Sequence, residues 1–343
     1  MRRILGQEYI LEKRASRTIW VLLSCILLLI AAAVLSLIYG HSEIDAATVW
    51  NAAFHYNPHN KLHVIIAEIR LPRLLSAMMI GAFLALSGAL MQALTRNPLA
   101  EPSLIGVSHG AAFALVITIT LFPGISASGQ SIAAMAGAGA AVLLVFLMAS
   151  VSKGGGGPVK LVLAGVAVGM LLSSLTSITA MHFGAAKQLS FWYAGGLEAS
   201  GWKSIKMLAG AGFMGAVLVF ALARPLTLLN FGQEVTRGLG INVKAVNALG
   251  VLAILLLTGS SVAVSGTISF IGLIVPHISR MLTGHDYRHS LPVSALLGSL
   301  LLTLSDLLSR MVNPPYETPV GVITAVLGVP FFLFLVRSGR GRI

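Results

Sequence analysis

Charged side chains are few in this sequence, and several of them stand beside long apolar segments. Arg70 and Arg73 frame the tetrapeptide Arg-Leu-Pro-Arg just before one apolar segment. Arg310 closes another segment, four residues after Asp306. A guanidinium group is a planar fork of donors that pairs with carboxylates in a fixed orientation. These arginines suit ion-pair recognition, although snorkelling to the membrane surface or an intrahelical pair between Asp306 and Arg310 would also explain them.

The other polar residues do not form a catalytic or metal-binding motif. Neither H-E-x-x-H nor H-x-x-E-H occurs, and the single cysteine, Cys25, lies inside an apolar segment. Glu101 could mark an ion pathway, but an acid at a turn and helix start is the simpler interpretation. His277 follows Pro276 and is expected to bond a carbonyl freed by the proline. We predict no catalytic residue, no metal site and no directly bound cofactor.

Composition places these residues in a membrane protein. Hydrophobic residues make up 56% of the 343 residues, charged residues only 10%, and the mean hydropathy is +0.89. A soluble domain carries about a quarter charged residues. The apolar residues come in blocks of about 20, enough to cross a bilayer as helix. We therefore expect an all-α polytopic membrane protein with about ten transmembrane helices.

The ten predicted spans are separated by polar or glycine-rich connections. They cover roughly residues 18–39, 70–92, 103–123, 130–150, 161–182, 204–223, 245–264, 267–282, 291–311 and 319–336. An aromatic stretch from Phe191 to Trp202 predicts a short helix at the outer surface. Residues 1–17 and 338–343 are predicted tails, and residues 18–337 a single transmembrane domain. Spans two and seven run in opposite directions, so two five-helix halves could form an inverted repeat.

Charge distribution gives the orientation. The formal net charge is +12, and most of the 23 lysines and arginines fall in connections that this layout places inside. The positive-inside rule then puts both termini in the cytoplasm. Because the basic residues flank apolar spans, we expect contact with membrane lipid and no nucleic-acid partner.

Three polar motifs are more specific than hydropathy. The first combines Arg70-Leu-Pro-Arg73 with Gly81-Ala-Phe-Leu-Ala-Leu-Ser-Gly88 and the stretch from Gln92 to Pro102. The second is Gly232-Gln-Glu-Val-Thr-Arg-Gly-Leu-Gly-Ile-Asn242. The third is Gly266-Thr-Ile-Ser-Phe-Ile-Gly-Leu-Ile-Val-Pro-His-Ile-Ser-Arg280, with Pro319-Val-Gly-Val-Ile-Thr-Ala-Val-Leu-Gly-Val-Pro330 after it. From about Ile69 to Val336 the chain resembles the FecCD-type permease family, the membrane subunits of ABC importers for iron–siderophores, haem and vitamin B12.

The resemblance implies a vitamin B12 importer permease-like fold in the bacterial cytoplasmic membrane. It also implies a second permease subunit, identical or different, two cytoplasmic ATPase subunits and an extracytoplasmic binding protein. No Walker A pattern occurs, since the run Gly154–Gly157 is followed by proline, so ATP would be used by the separate subunits. The expected cargo is a ferric siderophore, with haem or cobalamin as alternatives. An ion-coupled secondary transporter is the rival from another class, and it would need membrane carboxylates, of which Asp306 is the one serious candidate.

The resemblance also implies three groups of site residues. Docking of the binding protein would use Arg70, Arg73 and Arg310. A coupling segment at about 230–244 would contact the ATPase through Gly232, Gln233, Glu234, Arg237, Gly238 and Gly240. Spans five and ten would line the translocation pathway through Gly165, Gly169, Ser173, Ser177, Gly321, Thr324 and Gly328. Such small residues could equally serve close helix packing.

Overall fold

The computed structural model describes residues 2–40, 44–151 and 158–338, and those residues form helices and turns with no strand. The predicted loop at 153–158 and the tail at 338–343 lie largely outside this range. The α-helices are α1 (Arg2–Ile38), α2 (Ala46–Phe54), α3 (Lys61–Val64), α4 (Leu71–Thr95), α5 (Val107–Leu121), α6 (Ala127–Val151), α7 (Pro158–His182), α8 (Ala186–Ala194), α9 (Trp202–Met207), α10 (Phe213–Ala221), α11 (Ala223–Leu229), α12 (Gln233–Gly238), α13 (Val243–Ser265), α14 (Ile271–Thr283), α15 (Tyr287–Met311) and α16 (Val320–Ser338). Two π-helical turns, Ile65–Arg70 and Leu208–Gly212, join neighbouring helices, and a 3₁₀ turn, Pro102–Ile105, precedes α5.

In the part of the chain that the structure describes, ten apolar helical segments correspond to the ten predicted spans. Seven are long and apolar enough to cross a membrane: Ser16–Ile38, Lys61–Thr95, Ala127–Met148, Lys160–His182, Trp202–Ala221, Val243–Ser265 and Tyr287–Met311. Three are shorter: Val107–Leu121, Ile271–Thr283 and Val320–Leu335. The predicted all-α, multi-span fold is therefore confirmed. The inverted repeat stays a prediction.

The core of the bundle is built on α4 and α13. Their most apolar windows are 78% and 72% buried, whereas that of α1 is only 17% buried. Glycine brings α4 against α15, because a Cβ placed on Gly81 would overlap the carbonyl of Gly298, and the reverse also holds. A larger residue at either position would force the two helices apart.

The second span begins earlier than predicted. We expected a polar segment over 40–69 and a helix from residue 70, but Lys61–Thr95 forms one continuous helical rod. Asn60 starts the rod by accepting a hydrogen bond from the Leu62 N–H at 3.0 Å. Pro72 has no N–H to donate to the preceding turn, and a π-helical turn directly before α4 accommodates the break. As a result Arg70 and Arg73 lie within the rod, about three turns from its start.

Spans three and eight are shorter than predicted, because a 3₁₀ turn at Pro102–Ile105 precedes α5 and non-helical chain precedes α14. Residues 96–101 and 266–270 are not helical, and α5 and α14 have 15 and 13 residues. Glu101 links the two connections, since its Oε1 accepts a hydrogen bond from the Phe270 N–H at 3.0 Å. An acid at the start of α14 is favourable because the helix N-terminus carries partial positive charge. The turn-and-cap interpretation of Glu101 thus describes its position, although the helix it serves is distant in sequence.

Candidate functional site

Arg70, Arg73 and Arg310 come together where α1 ends, α4 begins and α15 ends. All three are buried, with 7%, 7% and 5% of their surface exposed. We call them, with Asp306 and Glu317, the arginine cluster. Burial on this scale excludes simple snorkelling as the reason for their presence, because a snorkelling guanidinium keeps its charged end in water. Their charge must instead be balanced inside the protein.

Arg73 is held by two carboxylates of its own chain. Its Nε donates to Asp306 Oδ1 at 2.9 Å, and its Nη1 donates to both oxygens of Glu317, at 3.0 and 2.8 Å. Its Nη2 is buried and has no hydrogen-bond partner among the described residues. One donor of the guanidinium fork is therefore left over after both carboxylates have been used.

The other two arginines bind the last turn of α1. Arg310 Nη2 donates to Ser36 Oγ at 2.7 Å, and Arg70 Nη1 donates to the carbonyls of Leu37 and Ile38 at 2.6 and 2.8 Å. Terminal carbonyls of a helix have no partner within the helix and attract cations. The arginines therefore fasten the end of α1 to α4 and α15.

The intrahelical pair weighed from the sequence is present. Arg310 Nη2 lies 3.3 Å from Asp306 Oδ2, although the alignment is too poor for a hydrogen bond. Asp306 thus sits between Arg73 and Arg310 and is wholly buried. The structure brings the three predicted docking residues together, but it uses most of their donors internally.

The predicted coupling segment forms the short helix α12 and its flanking turns. Gly232 and Gly240 take positive φ angles of 113° and 81° at its two ends, a conformation that favours glycine. Thr236 is buried, and its hydroxyl donates to the carbonyls of Leu228 at 3.0 Å and Gly232 at 2.6 Å. Gln233 is partly buried, and Glu234, Arg237 and Gly238 are exposed. Three large apolar side chains spaced four residues apart are also exposed, namely Phe231, Val235 and Leu239.

The coupling segment and the arginine cluster lie at opposite ends of α15. At its first turn, Thr227 of α11 accepts from the Tyr287 N–H at 3.0 Å and donates to Asp286 at 3.2 Å. Its last turn carries Arg310. A 25-residue helix is about 37 Å long, enough to cross a bilayer. One helix therefore runs between the two predicted contact surfaces.

The predicted pathway glycines are packing positions in this structure. A Cβ at Gly165 would overlap the Leu104 carbonyl, one at Gly321 would overlap the Ala194 carbonyl, and one at Gly328 would overlap the Phe270 ring. Gly169 lies against the His109 ring. Small size at these positions lets the helices of one chain approach closely.

The predicted pathway hydroxyls divide into two groups. Thr324 is buried and donates to the Gly321 carbonyl at 3.0 Å. Ser173 is partly exposed and Ser177 exposed, both on α7. Ser177 shares a helix face with Met170 and Met181, which are exposed too, because their spacings are seven and four residues. The exposed face of α7 is therefore where the small polar residues remain open to a neighbour or to water.

Glu101 is the one acid in the connection between α4 and α5. Burial raises the pKa of its carboxyl, while the hydrogen bonds from the Phe270 N–H and the Ser103 side chain act in the opposite direction. Its hydrogen bond to the start of α14 gives it a structural role.

Residues 27–338 match the family model described as the FecCD transport family. The chain belongs to the FecCD transport family. This is a family of membrane-embedded permeases, so the chain is a transporter subunit rather than an enzyme. The resemblance inferred from the three polar motifs is thereby confirmed.

Curated relatives within the FecCD family are similar over most of their length. The chain is 45% identical over 338 residues to the iron(3+)-hydroxamate import system permease protein FhuB of Bacillus subtilis (strain 168), covering 98% of this chain and 88% of the relative. It is 41% identical over 313 residues to the ferric enterobactin transport system permease protein FepD of Escherichia coli (strain K12), covering 91% and 93%. These relatives are named for different iron chelates.

Solved structures support the same fold. A metal-chelate type ABC transporter in an inward-facing conformation matches with a TM-score of 0.82 and 30% identity, covering 92% of this chain and 98% of that one. PsaBC from Streptococcus pneumoniae matches with a TM-score of 0.58 and 17% identity, which shows a shared fold only. The helical permease fold of the FecCD family is therefore the fold of this chain.

Sequence reasoning missed one member of the arginine cluster, Glu317, and one residue that binds the cluster, Ser36. Glu317 and Ser36 both bind an arginine that the sequence had singled out. The chain has only 11 acidic residues, so an acid in the connection after Arg310 was a signal worth pairing with the arginines. Ser36, inside an apolar segment, gave no such signal.

Proposed function

We propose that this chain is the transmembrane permease subunit of an ABC importer that takes up a ferric siderophore. The observation that carries the proposal is the 45% identity to an iron(3+)-hydroxamate permease, which extends over 98% of this chain. Other relatives are named for ferric enterobactin and for Fe(3+)-citrate, so a chelate of ferric iron is what their cargoes share. The cargo would arrive already chelated, and the permease would need no metal ligands of its own.

The proposed importer has partners on both faces of the membrane. An extracytoplasmic binding protein delivers the chelate to the end of the molecule that carries Arg70, Arg73 and Arg310. Two cytoplasmic ATPase subunits bind at α12 and use ATP, so this chain holds no cofactor. A second permease subunit, identical or different, completes the pathway. This arrangement places the chain in the bacterial cytoplasmic membrane with both termini inside, as the positive-inside rule favours.

The shape of α12 suits a contact that transmits movement. Phe231, Val235 and Leu239 expose an apolar stripe next to the charges of Glu234 and Arg237. An apolar stripe with a charged border is how a short helix seats in a groove of a partner. Thr236 ties the helix to α11 from the opposite side. Movement of an ATPase groove would therefore pull on α11 and, through Thr227, on α15.

Uptake of labelled cargo tests the proposed substrate class. Cells lacking this chain, with and without a plasmid copy, would be offered iron-labelled hydroxamate, catecholate and citrate chelates, haem and cobalamin. We expect the plasmid copy to restore uptake of at least one ferric siderophore. Restoration of haem or cobalamin uptake alone would overturn the siderophore assignment. Uptake that persists when the ATPase subunit is inactivated would favour a secondary transporter.

Crosslinking tests the proposed motor contact. Arg237→Cys in a Cys25→Ala background would be labelled with a short thiol-reactive reagent that carries a photoactivatable group, and irradiated in membranes containing the ATPase subunit. We expect a permease–ATPase adduct whose yield changes with nucleotide. Lys61→Cys is the matched control, because Lys61 is exposed at the opposite end of the molecule. Absence of any adduct under all nucleotide conditions would contradict the coupling role of α12.

A further inference from the structure

The two carboxylates of the arginine cluster differ in how an approaching protein would meet them. Asp306 is wholly buried on α15. The Glu317 side chain is 22% exposed and lies in the irregular connection between α15 and α16. A partner arriving at this end of the molecule would therefore meet Arg73 from the side that Glu317 covers. Glu317 stands between the guanidinium and the solvent.

Glu317 does not make the best pair that the guanidinium of Arg73 allows. Both of its oxygens accept from the same nitrogen, Nη1, at 3.0 and 2.8 Å. Nη2 is buried without a hydrogen-bond partner in the described part of the chain. A carboxylate that accepted from Nη1 and Nη2 together would form the two parallel bonds of a strong arginine–carboxylate pair. A second carboxylate could thus bind Arg73 better than Glu317 does.

We propose that Glu317 is an internal stand-in for a carboxylate of the binding protein, and that docking displaces it from Arg73. The inference rests on the proposed function, because it requires a binding protein at this end of the permease. Exchange of one carboxylate for another keeps the charge around Arg73 balanced, so docking does not leave a buried guanidinium unpaired. The same exchange makes docking selective for a partner that presents an acid, because a neutral side chain cannot replace Glu317.

Displacement of Glu317 would remove a contact that holds the connection before α16. Glu317 lies three residues before α16, where the Thr318 N–H donates to the Ser309 carbonyl at 3.1 Å. The Gly321 N–H donates to the Gly195 carbonyl at 3.2 Å and so links α16 to the end of α8. With Glu317 released, the segment loses its ion pair to Arg73 and keeps these two backbone bonds and the burial of Val320. Docking would therefore loosen the entrance of a helix that the proposed function assigns to the pathway.

Affinity for the binding protein is the first measurement. The full permease–ATPase complex would be placed in lipid nanodiscs, and the binding protein encoded with this chain would be the analyte. We expect Glu317→Gln to bind about tenfold more tightly than wild type, because the competing carboxylate is gone. Glu198→Gln is the matched control: it removes one exposed negative charge near the same end and should change affinity less than twofold.

Mobility of the 312–319 segment is the second measurement, and it does not depend on the affinity result. A spin label would be attached at Tyr316→Cys in a Cys25→Ala background, since Tyr316 is exposed beside Glu317. We expect the label to become more mobile when the binding protein docks on the otherwise unchanged permease. In the Glu317→Gln variant the label should be mobile before docking and change little afterwards.

The outcomes separate this inference from the proposed function. If the permease with Glu317 intact docks the binding protein, but Glu317→Gln binds equally or more weakly, the stand-in role is wrong and the importer assignment stands. A label whose mobility is unchanged by docking overturns the stand-in role in the same way. If no docking is found with Glu317 intact, in conditions where the ATPase subunits are assembled, the proposed function fails and the inference fails with it.

Discussion

At the scale of single residues, Asp306 is the residue on which the arginine cluster depends. It is buried between Arg73 and Arg310, 2.9 Å from the first and 3.3 Å from the second. Two guanidinium groups in such a site would repel each other without a negative charge between them. Moving charges out of water is costly, and a buried pair returns that cost only when both partners are present.

Asp306→Asn should therefore destabilise the permease. It keeps the shape of the side chain and removes the charge that balances two buried arginines. We expect the free energy of unfolding to fall by roughly 3–5 kcal/mol, the range for breaking one side of a buried pair. Thermal unfolding of the purified protein in detergent measures the effect. Asp45→Asn, at an exposed position before α2, is the control, and equal melting temperatures for both variants would contradict this account.

Arg73 allows docking to be separated from assembly. Arg73→Glu would place a third carboxylate beside Asp306 and Glu317, and we expect it to reduce the yield of assembled permease. Arg73→Lys keeps the charge and loses the planar fork.

We expect Arg73→Lys to assemble normally and to bind the binding protein about tenfold more weakly, because an ammonium group cannot form two parallel bonds to one carboxylate. Size-exclusion chromatography reports assembly, and surface-immobilised permease reports affinity. Lys61→Arg, an exposed basic exchange in the same rod, is the control. Docking unchanged in Arg73→Lys would show that the guanidinium fork is not what the binding protein recognises.

The sequence predicted the basic members of the arginine cluster but not the way in which they are paired. Arg70, Arg73 and Arg310 stand out because charge beside an apolar span is rare. Spacing rules for side-chain pairs extend only to the next helical turn, so they found the pair of Asp306 with Arg310. Arg73 and Glu317 are 244 residues apart, and no local pattern connects them.

At the scale of elements, hydropathy found the spans but misplaced their starts. Apolar composition cannot distinguish helix from the non-helical chain at 266–270, which was included in predicted span eight, because most of that chain is covered by neighbouring helices. It also stops at polar residues, and so it missed the first turns of the Lys61–Thr95 rod, where His63 is buried and Asn60 is the cap. Packing decides these boundaries, and packing is not visible in a window of sequence.

The helix α12 is anchored by one side chain. Thr236 is buried, and its hydroxyl binds the carbonyls of Leu228 and Gly232. This hydroxyl is thus a side-chain tie between α12 and α11, next to the backbone bonds of the flanking turns.

Thr236→Ala should uncouple the ATPase, and Thr236→Ser should not. Loss of the hydroxyl removes the side-chain bond from α12 to the Leu228 carbonyl of α11, although that carbonyl keeps its bond from the Phe231 N–H. The tie between the two helices is then weaker and α12 can tilt, whereas serine keeps the donor. We expect stimulation of ATP hydrolysis by the loaded binding protein to fall severalfold in Thr236→Ala while basal hydrolysis persists. Hydrolysis by reconstituted complexes, with and without the binding protein, measures this ratio. Equal stimulation in both variants would mean that α12 does not need its anchor.

At the scale of the whole molecule, α7 presents an exposed face that carries both hydroxyl and large apolar side chains. The most apolar window of α7 is only 22% buried. Its exposed side carries Ser177 among large apolar residues, and hydroxyls are rarely directed at lipid without a reason. The hydroxyl of Ser177 donates to the Ser173 carbonyl at 2.9 Å, so it tolerates an apolar neighbour. The exposed face of α7 therefore has two candidate neighbours. It faces either lipid or an aqueous pathway that lies between this chain and the second permease subunit.

Reaction with a water-soluble thiol reagent decides between these neighbours. Ser177→Cys, in a Cys25→Ala background within the assembled importer, should react if α7 lines an aqueous pathway, with a rate that changes when nucleotide is bound. Leu27→Cys on α1, also highly exposed, should not react, because the proposed arrangement gives that face to lipid. Thr324→Cys should not react either, since Thr324 is buried against its own chain. Reaction at Leu27→Cys but not at Ser177→Cys would reverse the assignment of the two faces, and with it the position of the pathway.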